Sequence, residues 1–268
     1  MKIVILSDAH LNVAPGGREH MDTFAAFLRQ LDPREVSHII VLGDLFDFWF
    51  EYKHVIFSDY FDVLRAFADL RDAGTELHFV CGNHDFWAGR FLEQHLGFCI
   101  HREPVTLELE GQRVHLAHGD GLNPADWRYR MYKRIARWRF AIWAFRLLHP
   151  DWAMAIAQWV SRGSRKIYSP EDPSKGSEVG PLREYAKNVL ASGEAEVVVC
   201  GHSHHPVKEE FPIPDGQGVY INAGDWLWHQ SYVIGEHGVY RLESAPSKVS
   251  RAHGPHAEQE TEPAEQQQ

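Results

Sequence analysis

Apolar residues fall along the chain in two patterns that take turns. Short unbroken runs rich in Val, Ile and Leu each end at a Gly, Asp, Asn or His. Ile3–Ser7 leads to Asp8, Ile39–Leu42 to Gly43 and Asp44, and Leu77–Cys81 to Gly82, Asn83 and His84. Farther on, Val114–Ala117 leads to His118, Val197–Cys200 to Gly201 and His202, and Tyr220–Asn222 to Gly224 and Asp225. Runs this apolar predict strands covered on both faces. Between the first three, Met21–Leu31 and Tyr60–Ala73 place apolar residues three and four apart and predict helices. Strands alternating with helices predict an α/β layered fold. In such folds sites assemble at the carboxyl ends of the strands, where all of these polar residues stand. Thr106–Glu110 and Arg113–Ala117, with Gly111 between them, predict a hairpin.

The texture changes after His118-Gly119-Asp120. From Asp126 to Lys166 there are ten Lys or Arg against two acids, Asp126 and Asp151, and five of the nine tryptophans. Tyr129, Tyr132, Ala136, Phe140, Trp143 and Leu147 recur at helical spacing, with Arg130, Lys133 and Arg137 opposite them. After Pro150, a second apolar stripe runs through Trp152, Ile156, Trp159 and Val160. Gly, Pro and Ser cluster around 169–180 before a helix over Leu182–Ala191 restores the earlier pattern. The segment at about 122–180 therefore reads as a helical cap inserted into a domain spanning 1–244. Residues 245–268, nearly devoid of apolar side chains, read as a disordered tail.

Composition narrows the classes. The 268 residues are 44% hydrophobic and 24% charged, enough for a sizeable core. A net charge of −10 argues against a general nucleic-acid binder. Three cysteines, Cys81, Cys99 and Cys200, are too few and too irregular for a disulfide framework, so reduced thiols in a cytosolic protein are expected. The apolar start Met1–Leu6 runs straight into Asp8, which leaves no room for a cleavable signal peptide. No apolar run approaches bilayer length.

The strand ends collect a metal-binding vocabulary: Asp8 and His10, Asp44, Asn83, His118, then His202 and His204. Two divalent ions roughly 3.5–4 Å apart need a bridging carboxylate within a shell of oxygen and nitrogen donors. A lone Asp-x-His signals nothing, and any one of these histidines alone is more often a surface or core residue. Five motifs in order, each ending an apolar run, reverse that weighting. Gly43, Gly82 and Gly201 fit the same picture, because close backbone approach beside a site favours Gly. His38, His78 and His101 lie outside the motifs and read as solvated or packed, like the remaining histidines.

These motifs resemble the calcineurin-like metallophosphoesterase superfamily up to about Asp225, the insertion aside. The resemblance implies a four-layer α-β-β-α sandwich. It assigns Asp8, His10, Asp44 and His204 to one ion and Asp44, Asn83, His118 and His202 to the other, with Asp44 bridging. Manganese is the implied metal, with iron or zinc compatible with the same mixed donors. It also implies in-line hydrolysis at phosphorus by activated water, with His84 stabilising phosphoryl charge and Asp85 orienting His84.

Within the superfamily, Gly43–Trp49, Gly82–Phe86 and His118–Leu122 resemble the bacterial UDP-2,3-diacylglucosamine diphosphatases of lipid A synthesis, which carry a helical cap. One departure is His84, where many members of that family have Arg. The implied reaction is cleavage of the pyrophosphate to UMP and 2,3-diacylglucosamine 1-phosphate; another nucleotide-linked or cyclic phosphodiester is the alternative, and a non-catalytic scaffold a third. Arg162, Ser164, Arg165 and Lys166 would contact the phosphosugar, and Asn83, Asp126 and Tyr129 would also touch substrate. The basic, Trp-rich insertion suits an anionic membrane surface, so the expected location is cytoplasmic and peripheral at the inner face of the inner membrane.

Overall fold

The computed structural model describes residues 1–12, 17–122, 127–156, 178–214 and 216–245. Its first half alternates strand and helix: β1 (Lys2–Leu6), α1 (Gly17–Gln30), β2 (Val36–Val41), α2 (Phe61–Asp72), β3 (Glu76–Val80), α3 (Arg90–Leu96) and β4 (Cys99–His101). The hairpin β5 (Val105–Leu109) and β6 (Gln112–Ala117) follows, then α4 (Trp127–Ala136) and α5 (Arg139–Arg146). The chain closes with α6 (Val179–Ala191), β7 (Val197–Cys200), β8 (Val207–Ile213), β9 (Gly216–Asn222), β10 (Ser231–Glu236) and β11 (Val239–Ser244).

The strands form two sheets, ordered β11-β10-β1-β2-β3-β4 and β5-β6-β7-β9-β8. β1 to β4 run parallel, as do β6, β7 and β9, so their carboxyl ends gather at one edge of each sheet. Alternation of side chains along each strand divides the apolar residues between two faces. Ile3, Ile5, Ile40 and Val80 meet Val114, Leu116, Val199 and Ile221 between the sheets. Val4, Ile39 and Val41 point outward beneath Phe24 and Leu28 of α1 and Phe67 of α2. On the far side Leu182, Ala186 and Leu190 of α6 cover Val198 and Tyr220. The order is helix, sheet, sheet, helix: the four layers expected.

The expected strands and helices fall where the patterns put them and end within a residue or so of the expected ends, while α1, β2, α6 and β9 begin three or four residues earlier, at Gly17, Val36, Val179 and Gly216. The hairpin turns through Glu110 and Gly111, both at positive φ, the backbone that a two-residue hairpin turn requires. The described helices of this segment differ from the expectation. One continuous helical face was expected from Tyr129 to Leu147, but the chain breaks between α4 and α5, and Trp138 is extended (φ −70°, ψ 130°). Phe140, Trp143 and Leu147 are exposed, and on α4 Trp127, Met131 and Ile135, one turn apart, are exposed as well. Lys133 and Arg137 face the body of the protein: Lys133 Nζ lies 2.7 Å from Asp120 Oδ2, and Arg137 pairs with Glu103 and donates to the Arg102 carbonyl. The buried carboxylate of Asp120 explains the difference, since it would be costly without a partner. Phe145 packs on Phe50 and Trp87, at centroid distances of 4.8 and 4.9 Å, and Trp87 Nε1 donates to the Ala136 carbonyl. These contacts seat the helical pair on the loops that follow β2 and β3. Among the described residues no helix is long and apolar enough to cross a membrane.

Candidate metal centre

Five loops leave the carboxyl ends of β1, β2, β3, β6 and β7 and converge. Backbone hydrogen bonds lace them together: Asp8 N to Gly43 O, His10 N to Asp44 O, and Gly201 N to His118 O. Side chains continue the lacing, as His84 N donates to Asp44 Oδ1 at 2.9 Å and His202 N to Asp8 Oδ2 at 2.7 Å. Asp8, His10, Asp44, His202 and His204 all sit at positive φ, between 46° and 68°. Non-glycine residues rarely accept that region, and held strain of this kind clusters at functional sites. Glycine is needed where the loops touch: a Cβ on Gly82 would lie 2.2 Å from Asp44 Oδ1, and one on Gly201 would lie 1.8 Å from Ser7 Oγ.

The donor atoms meet in overlapping groups. Asp8, His10 and His204 present ligating atoms within 4.8 Å of one another, as do Asp44, His118 and His202, and so do His10, Asp44 and His84. Asn83 Oδ1 lies 3.1 Å from His118 Nε2. All seven residues expected as ligands are thereby brought to one place.

Whether this set suits cations can be read from its hydrogen bonds. His118 Nδ1 lies 2.6 Å from the Leu42 carbonyl, which can only accept, so Nδ1 carries the proton. Its Nε2 then faces two further acceptors, Asn83 Oδ1 and Asp44 Oδ2, the latter at 3.5 Å. His10 Nε2 and His204 Nε2 point at each other across 3.2 Å, and both face Asp8 Oδ1, which has no hydrogen-bond partner of its own. Acceptors converge on these ring nitrogens with only the imidazoles to supply protons between them, an arrangement in which divalent cations can take the protons' place.

The charge states divide the histidines: against burial, Asp44 draws His118 well above the usual imidazole value and Asp8 draws His204 up, so without an ion these two rings carry the positive charge between the carboxylates. Burial works to raise the Asp44 carboxyl, but His118, His84 and His10 outweigh it and hold the group well below the usual range. Burial likewise opposes ionisation of Asp8, yet His204 brings it down to about 2. Burial, reinforced by nearby histidines, lowers His10 to about 3 and His202 to about 4, leaving both as neutral bases.

The structure corrects the expectation for Asp85. Its carboxylate is fully buried and accepts from Gly82 N at 2.9 Å and Leu45 N at 2.8 Å, so it splices the β2 and β3 loops and does not orient His84. The acceptor on His84 Nδ1 is the Asp47 carbonyl at 2.8 Å, which leaves Nε2 facing the centre, 3.9 Å from Asp44 Oδ2. Asp47 had no role in the sequence reading. Its carboxylate lies 3.3 Å from His10 Nδ1, behind the nitrogen that faces the cluster, an arrangement that fixes a ligand's tautomer. The only available signal was one acidic residue three positions after Asp44. Asp126, Arg162, Ser164, Arg165 and Lys166 lie outside the described residues, as does the side chain of Tyr129. Beside His118 a cavity of about 480 Å³ opens between the sandwich and α4, lined by Asp120, Leu122, Arg102, Lys133 and Arg137 among others.

Residues 1–138 match the family model described as the calcineurin-like phosphoesterase superfamily domain. Among curated proteins, a UDP-2,3-diacylglucosamine hydrolase of Porphyromonas gingivalis is 32% identical over 91% of this chain and 97% of its own length. One of the same name from Aeromonas hydrophila is 30% identical over 91% of this chain and 98% of its own. With just over half of the residues under the family model, and relatives alike over nine-tenths of the chain, the chain belongs to the calcineurin-like phosphoesterase superfamily of metal-dependent hydrolases.

Proposed function

We propose that this protein hydrolyses the pyrophosphate of UDP-2,3-diacylglucosamine, releasing UMP and 2,3-diacylglucosamine 1-phosphate. The observation that carries the reading is the near full-length likeness to hydrolases named for that substrate. The donor cluster supplies a place for the chemistry, and the adjoining helical pair a place for a lipid.

In this reading Asp8, His10, Asp44 and His204 hold one divalent ion and Asp44, Asn83, His118 and His202 the other, with Asp44 shared. When bound, the pair supplies Lewis acidity and lowers the pKa of water for in-line displacement at phosphorus. Manganese is the favoured occupant, with iron or zinc suited to the same donors. The protein's own groups do the rest. Asp47 and the Leu42 carbonyl fix the tautomers of His10 and His118. His84, anchored through its Nδ1–H to the Asp47 carbonyl, turns Nε2 toward the centre, where the ring would donate to the phosphoryl oxygens or the departing nucleotide only when it carries both protons.

The exposed Trp127, Met131, Ile135, Trp138, Phe140 and Trp143 support a peripheral seat on an anionic membrane, at the cytoplasmic face where a nucleotide-linked glycolipid would be met. The same reading divides the chain into a catalytic domain over 1–244, interrupted by the cap at about 122–180, and a tail over 245–268. Asp126, Tyr129, Arg162, Ser164, Arg165 and Lys166 remain the proposed cap contacts to substrate.

The test is UMP release from UDP-2,3-diacylglucosamine with and without Mn²⁺, beside UDP-glucose and a cyclic nucleotide. Metal-dependent release from the diacylated substrate alone is expected. Preference for the cyclic nucleotide would overturn the substrate assignment and favour the phosphodiesterase alternative.

A further inference from the structure

Three histidines absorbed by no motif stand on neighbouring parallel strands: His38 on β2, His78 on β3 and His101 on β4. The register sets His38 level with Glu76, and His78 level with Cys99. Residues two apart share a face, so these five side chains lie on the side of the sheet that carries Ile40 and Val80 between the two sheets. They sit near its margin, where the three histidines are only partly covered and Cys99 is exposed.

The geometry is close. His78 Nδ1 lies 3.1 Å from His101 Nε2, and the two rings stack at 5.4 Å with planes 6° apart. The ligating atoms of His78, Cys99 and His101 fall within 4.8 Å of one another. On the other nitrogen of His78, Glu76 Oε2 stands at 4.0 Å, and the same oxygen is 3.5 Å from His38 Nε2. Burial, aided by its histidine neighbours, lowers His78 to about 4, and burial lowers His101 as well, so both rings are neutral bases near neutral pH.

We propose that His78, Cys99 and His101 form a second metal site, separate from the dinuclear centre, for a single Zn²⁺ or a similarly borderline-soft divalent ion. Two imidazoles and a thiolate are a donor set that zinc favours over manganese, with a fourth position open to solvent beside Cys99. Coordination replaces the hydrogen bond between the two rings and releases the Cys99 thiol proton to solvent, so affinity rises with pH. Glu76 Oε2, 4.0 Å from His78 Nε2, lies beyond hydrogen-bond reach and places a negative charge beside the site. Thiolate and Glu76 together cancel the charge of the ion.

Such an ion clamps β3 to β4. The His101 carbonyl accepts from Cys81 N at 2.9 Å, directly before Gly82 and Asn83, so the clamp steadies the strand that enters the dinuclear centre.

Co²⁺ titration of the full chain tests the proposal, because the dinuclear centre has only oxygen and nitrogen donors. A thiolate-to-cobalt charge-transfer band therefore reports the new site alone. Cys81 and Cys200 are buried, each with its thiol pushed up to about 12 by burial, and do not compete. At saturation the band's amplitude is expected to match one thiolate-bound cobalt per chain, to survive Asp44→Ala and to vanish in Cys99→Ser. His78→Ala should weaken the site about tenfold or more, and Zn²⁺ should displace the cobalt and slow alkylation of Cys99 by a similar factor. Absence of the band, its persistence in Cys99→Ser, or alkylation indifferent to zinc would each overturn the site. None of these outcomes bears on the dinuclear centre or its substrate.

Discussion

The dinuclear centre and the helical pair beside it occupy adjoining parts of one molecule and are built in opposite ways. In the centre every donor follows a strand end, hydrogen bonds cross between loops, and five residues are held in left-handed backbone. The helical pair is two short helices, attached through Phe145, Ala136, Lys133 and Arg137 and turning Trp, Phe, Met and Ile outward. One region fixes atoms to fractions of an ångström, as metal chemistry demands. The other presents exposed apolar side chains, the kind of area the proposed membrane contact would use. Chemistry and docking should therefore separate under mutation.

The largest expected effect is that of Asp44→Ala, which removes the one carboxylate shared by both proposed ions. Turnover should fall to background and bound metal below that of any single-site variant; two retained ions at near-native rate would dismiss the bridging assignment. His84→Ala should lower kcat by roughly two to four orders of magnitude with metal content unchanged, the scale of a lost proton donor or charge stabiliser. Loss of an ion in that variant would make His84 a ligand, which its nearness to His10 and Asp44 makes a pointed alternative.

Gly82→Ala sharpens the comparison, since one methyl group would collide with Asp44 Oδ1 and must displace it. Mispositioning of that order costs about a hundredfold in turnover, and full activity would mean that the loops are looser than their lacing implies. Trp138→Ser with Trp143→Ser should cost the chemistry least. At about 25 cal/mol per Å² of apolar surface, losing both rings should weaken binding to anionic vesicles by on the order of tenfold to a hundredfold. Turnover of a soluble chromogenic phosphodiester should stay within about twofold of native. Equal loss of both activities would show that the helices support the fold instead of a surface.

The sequence held much of this in local form. Apolar runs ending in Asp, Asn and His announced both the strands and the donors, because strand burial and site placement use the same positions. What escaped was non-local. Helical spacing runs uninterrupted through Arg137 and Trp138, so nothing nearby marks the break; the partners that turn Lys133 and Arg137 inward, Asp120 and Glu103, precede them by 13 and 34 residues. Asp85 was assigned to its neighbour in the chain, whereas its actual partners are backbone amides of two separate loops. His38, His78 and His101 stand at no motif spacing, and only the parallel register of three strands aligns them.

The pairing of β1 with β10 sets the order in which this molecule can mature. Strand β1 is made first and lies between β2 and β10, so it keeps an open edge until residues 231–236 have left the ribosome. His202 N likewise reaches Asp8 Oδ2 across 194 residues of chain. Long-range pairings of this kind fold slowly and leave strand edges vulnerable meanwhile. The proposed metal site can be complete only once His204 has been made, and a chain ending before β10 would carry its first strand with an unpaired edge. Limited proteolysis of nascent chains of graded length should show protection of residues 1–12 only once β10 is complete.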